Sequence, residues 1–232
     1  MKLQDKVIIV TGASEGLGKA ITSSLVSKGA RVIAIARNAS KLKKLTDELG
    51  DSVRVYSCDI RDTQKFTTVL ERSISDLGQV DGIVNCAGVW HKMDKLENIN
   101  SETIAHVIGI NLTALIQGTA IVLPFLKRRD EAIIVNISSK SGTRPQEGQT
   151  VYCASKFGVR GFTDTLKLEL KGGPVKVMGF YPSGMNTELF AKANESFPVD
   201  KFMNVDGIAD IITYAMERPG NISIEEIQVE KY

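Results

Sequence analysis

Short apolar runs alternate along the chain with longer segments in which apolar residues recur about every three or four positions. The runs are rich in Val and Ile and predict strands at residues 6–10, 31–36, 53–57, 81–86, 133–137, 175–181 and 222–230. The longer segments predict helices at residues 17–28, 41–49, 66–77, 104–126, 152–170 and 205–216. Strands that alternate with helices in this way predict an α/β fold, a doubly wound parallel sheet of about seven strands flanked by helices.

The length of the chain predicts one domain. Its 232 residues are enough for one core and too few for two comfortable ones, since single cores grow to about 250–300 residues. No linker, repeat or low-complexity tract divides residues 1–232. Residues 185–205 lose the regular pattern, and an irregular segment of this length is often functional, so we predict a substrate lid there.

Charge and cysteine usage exclude several classes of partner. The 29 basic and 27 acidic residues give a net charge of +2 without a basic tract, so we expect no nucleic-acid partner. The three cysteines and two histidines lack metal-ligand or disulfide-framework spacing, so we expect no metal. The first apolar run is too short for a signal peptide, and Pro124 with several polar residues interrupts residues 104–126. We therefore expect a cytoplasmic protein without a membrane partner.

A glycine-rich loop, TGASEGLG at residues 11–18, lies between the first predicted strand and the first helix. Glycines in this position let the backbone approach a phosphate at the positive end of a helix, as in Rossmann-like dinucleotide sites. The second strand then ends at Ala36 and Arg37, where a carboxylate would select NAD and a basic group the 2′-phosphate of NADP. Arg37 therefore favours NADP, while Glu15 in the glycine loop pulls weakly toward NAD.

Tyr152 and Lys156 lie one helical turn apart, so their side chains share a face of the helix. A free phenol titrates near 10, and a fixed cation beside it favours the phenolate. We therefore expect Lys156, helped by the positive charge of a cofactor, to lower the pKa of Tyr152. Asn111 is a poor helix former inside residues 104–126, so its amide is bonded in a local kink or belongs to a wet site, and propensity alone does not decide between the two.

Four motifs carry a resemblance to a known family: TGASEGLG, NCAG at residues 85–88, ISS at 137–139 and YCASK at 152–156. Together they resemble the short-chain dehydrogenase/reductase family over almost the whole chain. The resemblance implies the catalytic residues Asn111, Ser139, Tyr152 and Lys156. The residues implied to bind the cofactor, NADP with NAD as the alternative, are Gly12, Ser14, Glu15, Gly16, Leu17, Gly18, Arg37, Asp59, Ile60, Asn85, Ala87, Gly88, Tyr152, Lys156, Pro182, Gly184 and Thr187.

The same resemblance implies an NAD(P)-dependent oxidoreductase that interconverts a carbonyl and an alcohol. Tyr152 is the implied general acid or base, Ser139 orients the carbonyl, Lys156 holds the nicotinamide ribose, and Asn111 anchors a proton-relay water. A small carbonyl, hydroxy acid or sugar is the expected substrate type. The alternatives are a 3-oxoacyl-thioester reductase and a non-catalytic NADP-binding sensor.

The substrate pocket is expected between residues 89–93, 140–149 and 185–203. Lys140 and Arg144 are candidates for a substrate carboxylate, although exposed loop cations are usually solvated. Trp90 and the phenylalanines of residues 185–203 suit an apolar carbonyl. Ser183 stands where many family members have Gly, and the C-terminal IEEIQVEKY replaces a glycine-rich end. The resemblance also implies a homodimer or homotetramer, with the helices of residues 104–126 and 157–170 suited to the dimer interface.

Overall fold

The computed structural model describes residues 1–232 and contains one parallel sheet of seven strands. In chain order the strands are β1 Val7–Thr11, β2 Arg31–Ala36, β3 Val53–Ser57, β4 Gly82–Asn85, β5 Ala132–Ile137, β6 Val175–Pro182 and β7 Glu226–Val229. Their spatial order is β3-β2-β1-β4-β5-β6-β7, and every neighbouring pair is parallel. The predicted fold class is confirmed.

The helices cover both faces of the sheet. Their bounds are α1 Gly16–Ser27, α2 Ala39–Leu49, α3 Thr63–Leu77, α4 Ser101–Ile108, α5 Ala114–Leu126, α6 Thr150–Glu169 and α7 Val205–Met216. Alternate residues of β1 enter two separate cores, because successive side chains of a strand point to opposite faces. Ile8 and Val10 pack with α1 and α7, whereas Val7 and Ile9 pack with α3 and α5.

Two predicted elements differ from the structure. The last strand is confined to Glu226–Val229 rather than 222–230, because β6 pairs with it only over Gly179–Pro182. The predicted helix 104–126 begins at Ser101 and is divided by a π-helical turn over Gly109–Thr113. The remaining differences at element ends are small.

The order of the strands creates a crevice above β1 and β4. The chain winds outward from β1 to β3 and then crosses back to β4, so the connections after β1 and β4 leave the sheet in opposite directions. Ligands of doubly wound sheets bind in such a crevice, outside the carboxyl ends of the strands. The glycine loop after β1 and the NCAG segment after β4 meet there.

The segment predicted as a lid lies beside this crevice. It contains two short 3-10 helices, Ala191–Ala193 and Val199–Lys201, and a bridge joins Met185 to Met203 at its ends. The irregular conformation agrees with the sequence pattern, whereas closure over a substrate remains a prediction.

The continuous helical stretch Ser101–Leu126 is long and apolar enough to cross a membrane by length and composition alone. In the structure Val122 and Leu126 pack in the core beneath the sheet with Phe66 of α3. Burial of this kind is the ordinary behaviour of a core helix.

Candidate active site

The glycine loop places backbone where side chains would not fit. Gly12 has a φ of +70°, in the left-handed region that favours glycine, and a Cβ there would lie 2.8 Å from the Cα of Ala87. A Cβ on Gly18 would overlap the carbonyl oxygen of Gly12. The loop therefore runs close against α1, whose N-terminus at Gly16 opens into the crevice as an anion-binding end.

A cleft of about 1260 Å³ runs from this loop to the predicted catalytic helix. Most of the predicted cofactor residues line it: Gly12, Ser14, Glu15, Gly16, Leu17, Gly18, Arg37, Asp59, Ile60, Ala87, Gly88, Tyr152, Lys156 and Thr187. A glycine cradle at one end and a phenol at the other fit a bound dinucleotide extended along the sheet edge.

Three residues of the predicted cofactor set, Asn85, Pro182 and Gly184, are not among those that line the cleft. The amide of Asn85 donates to Thr119 Oγ1 at 2.9 Å and to Asn136 Oδ1 at 2.8 Å, both inside the core. Asn85 therefore joins β4 to α5 and β5 and acts on the crevice only indirectly. Gly184 packs against Phe202, where a Cβ would lie 3.0 Å from the ring.

The adenosine end of the cleft carries an ion-pair cluster that sequence reasoning missed. Glu15 pairs with both Lys41 and Lys192, and Glu188 also pairs with Lys41. These contacts join residues up to 177 positions apart, so no sequence spacing reveals them. Arg37 lies at the same end, and Asp59 pairs with Arg61, which holds the pKa of that carboxyl at about 2.

Tyr152 is held at the start of α6 by a residue that the sequence analysis did not assign a role. Its backbone N–H donates to Nε2 of His91 at 3.3 Å. The Nδ1 of His91 lies 2.8 Å from the carbonyl of Lys92, which only accepts, so His91 carries its proton on Nδ1. His91 thus bonds one of the free N–H groups at the N-terminus of α6 and fixes the backbone beneath the phenol.

Burial raises the pKa of Tyr152 to about 12, and a hydrogen bond from Ser139 opposes the shift. The ammonium of Lys156 donates to the carbonyl of Ile137 at 3.1 Å and lies 5.7 Å from the centre of the Tyr152 ring. Burial also lowers the pKa of Lys156 to about 8. In the chain by itself, burial outweighs an ammonium that is directed at a backbone carbonyl. The lowering of the Tyr152 pKa expected from Lys156 and a cofactor's charge together stays a prediction.

Asn111 lies in the π-helical turn, and its amide is fully bonded. Oδ1 accepts from the N–H of Val89 at 2.8 Å, while Nδ2 donates to Val89 O at 3.0 Å and to Ser155 Oγ at 3.1 Å. The structure thus shows the locally bonded amide in a kink, and the kink ties the segment after β4 to α6. A role of Asn111 in proton relay stays a prediction.

Four aromatic residues form what we call the aromatic wall: Trp90, Phe190, Phe197 and Phe202. The Trp90 ring centre lies 4.5 Å from that of Tyr152 and 5.0 Å from that of Phe190. Phe190 in turn contacts Phe197 at 4.9 Å and Phe202 at 5.8 Å. The Nε1 of Trp90 is buried and has no hydrogen-bond partner. Through Trp90 the wall contacts the ring of Tyr152.

Lys140 and Arg144, the candidates for a substrate carboxylate, are engaged elsewhere. Both pair with Glu230 of the C-terminal segment, at 3.2 Å and 3.4 Å respectively. Glu230 therefore holds both side chains toward the C-terminal segment, and with one carboxylate for two cations the group keeps a net positive charge.

A family model described as short chain dehydrogenase matches residues 6–197. The chain belongs to the short-chain dehydrogenase family. The family resemblance predicted from the four motifs is thereby confirmed, and this short-chain dehydrogenase is an oxidoreductase of that family.

Relatives and solved structures agree with this membership over nearly the full length. An uncharacterized oxidoreductase of Staphylococcus aureus is 30% identical over 229 residues, covering 98% of this chain and 97% of that protein. The closed form of serine dehydrogenase complexed with NADP+ superimposes with a TM-score of 0.88 at 27% identity, covering 97% of this chain and 96% of that one. The 3-ketoacyl-(acyl-carrier-protein) reductase of Brucella melitensis complexed with NADH gives a TM-score of 0.89 at 26% identity, covering 98% and 97%.

The low pKa of Lys156 makes the stability of this short-chain dehydrogenase depend on pH. Between pH 8 and 10.5 the unfolded chain still binds the lysine proton that the folded chain has lost, so the free energy of unfolding rises with pH. The rise contributed by Lys156 amounts to about 3 kcal/mol at most. Lys156→Met should remove it, as measured by urea unfolding in steps from pH 7 to 10.

Lys43→Met serves as the matched control, since Lys43 is exposed and pairs with Asp47 on α2. This variant should keep the rise of the unmodified protein. An equal rise in the Lys156→Met protein would show that the ammonium is not desolvated in the fold.

Proposed function

We propose that the protein is an NAD(P)-dependent oxidoreductase that interconverts a carbonyl and an alcohol by hydride transfer, with Tyr152 as general acid and base. The observation that carries the proposal is the continuity of the cleft, which joins the glycine cradle at Gly12 and Gly18 to the phenol of Tyr152. The influence of the Ser139 hydroxyl on Tyr152, which opposes the rise of the Tyr152 pKa, supports it further, because a carbonyl oxygen must meet both hydroxyl groups.

When bound, the nicotinamide group supplies the hydride that reaches the carbonyl carbon. Ser139 donates a hydrogen bond to the carbonyl oxygen and fixes its position. Tyr152 then gives its proton to that oxygen as negative charge develops there. With a pKa of about 12, the phenol is protonated at neutral pH and ready for this step.

Two further residues support the proton transfer. The buried ammonium of Lys156 lies in the same cleft, where it can bind ribose hydroxyls and stabilise the phenolate left after the transfer. Asn111 holds the backbone at Val89 and lies next to Ser155, so we assign it to the path by which the proton is resupplied.

Tyr152→Phe should abolish reduction while leaving the affinity for NADPH nearly unchanged. The substitution removes only the hydroxyl, so the ring still packs against Trp90. General acid catalysis contributes about 100-fold to 10,000-fold, so the loss of turnover should reach that range. Carbonyl-dependent NADPH oxidation and nucleotide titration measure the two effects, and surviving turnover would refute the assignment of Tyr152 as the acid.

We propose NADP as the preferred cofactor, with NAD as the alternative. Arg37 lines the adenosine end of the cleft beside Lys41 and Asn38, and no carboxylate follows β2 directly. The complex of serine dehydrogenase with NADP+ is consistent with this choice, whereas the complex of the ketoacyl reductase with NADH shows that both nucleotides occur among the similar structures.

Arg37→Ala should weaken NADPH about tenfold and leave NADH nearly unchanged, because a charge-assisted contact to the 2′-phosphate is lost. Isothermal titration of both nucleotides gives the two affinities. Arg54→Ala on β3, where the side chain is 55% exposed, serves as the control. Binding of NADH that equals or exceeds that of NADPH in the unmodified protein would overturn the preference.

The substrate type expected from the sequence was a small carbonyl, hydroxy acid or sugar, with a 3-oxoacyl thioester as the alternative. Similarity to the ketoacyl reductase supports the thioester as the alternative. Activity toward an acetoacetyl thioester in a panel of carbonyl compounds would distinguish a thioester reductase from a small-carbonyl reductase. A non-catalytic sensor is disfavoured by the assembled Ser139, Tyr152 and Lys156.

We place the activity in the cytoplasm, because all three cysteines are free thiols.

We also propose a homodimer or homotetramer. Ile116 of α5 and Phe157 and Leu168 of α6 are apolar side chains exposed by 36%, 40% and 74%, on the two helices expected to form the dimer contact. Light scattering should give a mass that is a multiple of 25.3 kDa. Phe157→Glu should shift it toward the monomer, whereas Leu96→Glu, on another exposed residue, should not, and a monomeric unmodified protein at micromolar concentration would contradict the proposal.

A further inference from the structure

The aromatic wall is the largest feature of the site that the proposed chemistry does not use. Hydride and proton transfer require Ser139, Tyr152 and Lys156, and none of these needs Trp90 packed at a tilt against the phenol ring at 4.5 Å. Three of the four wall residues come from the predicted lid, and Phe190 contacts all the others. Trp90 lines the cleft and Phe190 packs against it, so a group that approaches Tyr152 along the cleft meets the Trp90 ring.

The charges around the wall are unfavourable to an anion. Glu195, from the same segment as the phenylalanines, accepts from the N–H of Met93 at 2.6 Å, so a carboxylate already stands at the loop after Trp90. Lys140 and Arg144 are paired with Glu230. Against the wall a substrate carboxylate would lose water, and the cation beside Tyr152, Lys156, is already assigned to the ribose hydroxyls, so the loss would be costly.

A cationic substrate is disfavoured by the ammonium of Lys156. Lys156 is 5% exposed, and its ammonium lies in the cleft beside Tyr152 with one carbonyl oxygen as its partner. A second positive charge brought next to the reacting carbonyl would be repelled across a poorly solvated space. Aromatic faces do attract cations, so a cationic carbonyl compound belongs among the probes.

We propose that the substrate is a neutral carbonyl compound whose carbonyl carries an aromatic or similarly broad apolar group, and that Trp90, held in place by Phe190, selects it by aromatic contact. The proposal rests on the proposed function for the site and narrows its substrate class. It separates the protein from an enzyme of small hydroxy acids, whose carboxylate would have to compete with the cofactor ribose for Lys156.

Trp90 supplies a readout that does not depend on turnover, because it is the only tryptophan of the chain. The Tyr152→Phe protein saturated with NADP+ should show saturable quenching of tryptophan fluorescence by ethyl mandelate, the neutral aromatic alcohol. Mandelate, which differs by the negative charge, should bind at least about tenfold more weakly, and ethyl lactate, which lacks the ring, about tenfold more weakly.

Four related ketones test the same preferences in the active protein: ethyl phenylglyoxylate, phenylglyoxylate, ethyl pyruvate and pyruvate. The value of kcat/KM should be highest for ethyl phenylglyoxylate and lowest for pyruvate. Phe190→Leu should reduce the preference for ethyl phenylglyoxylate over ethyl pyruvate by about fivefold, because it removes the ring that contacts every other wall residue. Phe125→Leu at the end of α5, a partly buried Phe outside the wall, should leave that preference unchanged.

The outcomes separate the two levels of the proposal. Reduction of pyruvate or phenylglyoxylate in preference to its ester, or stronger activity with betaine aldehyde as a cationic probe, would overturn the substrate class and leave the proposed function standing. Binding of ethyl mandelate without reduction of any ketone by the unmodified protein would sustain the substrate class and refute the proposed function. If ethyl mandelate is not bound and ethyl phenylglyoxylate is not reduced, the inference is overturned.

Discussion

The burial of the Lys156 ammonium is the constraint on which the architecture of the site depends. A buried cation is costly unless polar groups surround it, and here the partner within the chain is the carbonyl of Ile137 at the end of β5. Helix α6 must therefore lie against that strand end. Ser138 Oγ donates to the carbonyl of Lys156 at 2.9 Å, and Gly142 lets the backbone approach where a Cβ would lie 2.6 Å from the same oxygen. The lowered pKa of about 8 shows how much of the cost remains, and the ammonium faces a cleft whose other end is built for anions.

The loop after β4 connects the position of α6 to the surface beside the Tyr152 ring. His91 accepts from the backbone of Tyr152, and its neighbour Trp90 packs on the ring of the same residue. His91 therefore fixes the backbone that carries the phenol, and Trp90 forms the surface beside the ring. Asn111 holds the start of the same loop through both backbone groups of Val89. The π-helical turn that would otherwise weaken the helix is what brings the Asn111 amide to this loop, as is frequent for π-turns at functional sites.

The fold was predictable where local pattern and tertiary packing agree. The β-branched runs of β1 and β2 are buried on both faces, so they read as strands without ambiguity. The last strand was predicted too long because Ile222 and Ile224 look like strand residues, yet the carbonyl of Ile222 accepts from the side chain of Lys176 instead of from a neighbouring strand. At the site, helical spacing predicts that Tyr152 and Lys156 share a face but not that the ammonium turns to Ile137. The roles of His91, Lys41 and Lys192 depend on contacts between distant segments, which sequence spacing does not encode.

The two perturbed groups also bear on the direction of the reaction. Burial favours the neutral form of both Tyr152 and Lys156, so the pKa of each group shifts in the direction that desolvation alone predicts. A neutral phenol is the species that donates a proton to a reduced carbonyl, whereas oxidation of an alcohol needs the phenolate. A pKa near 12 makes the phenolate scarce at neutral pH, and only an added positive charge in the cleft would make it accessible. Burial alone therefore keeps Tyr152 in the form that donates a proton, and the phenolate needed for oxidation depends on positive charge beyond that of Lys156.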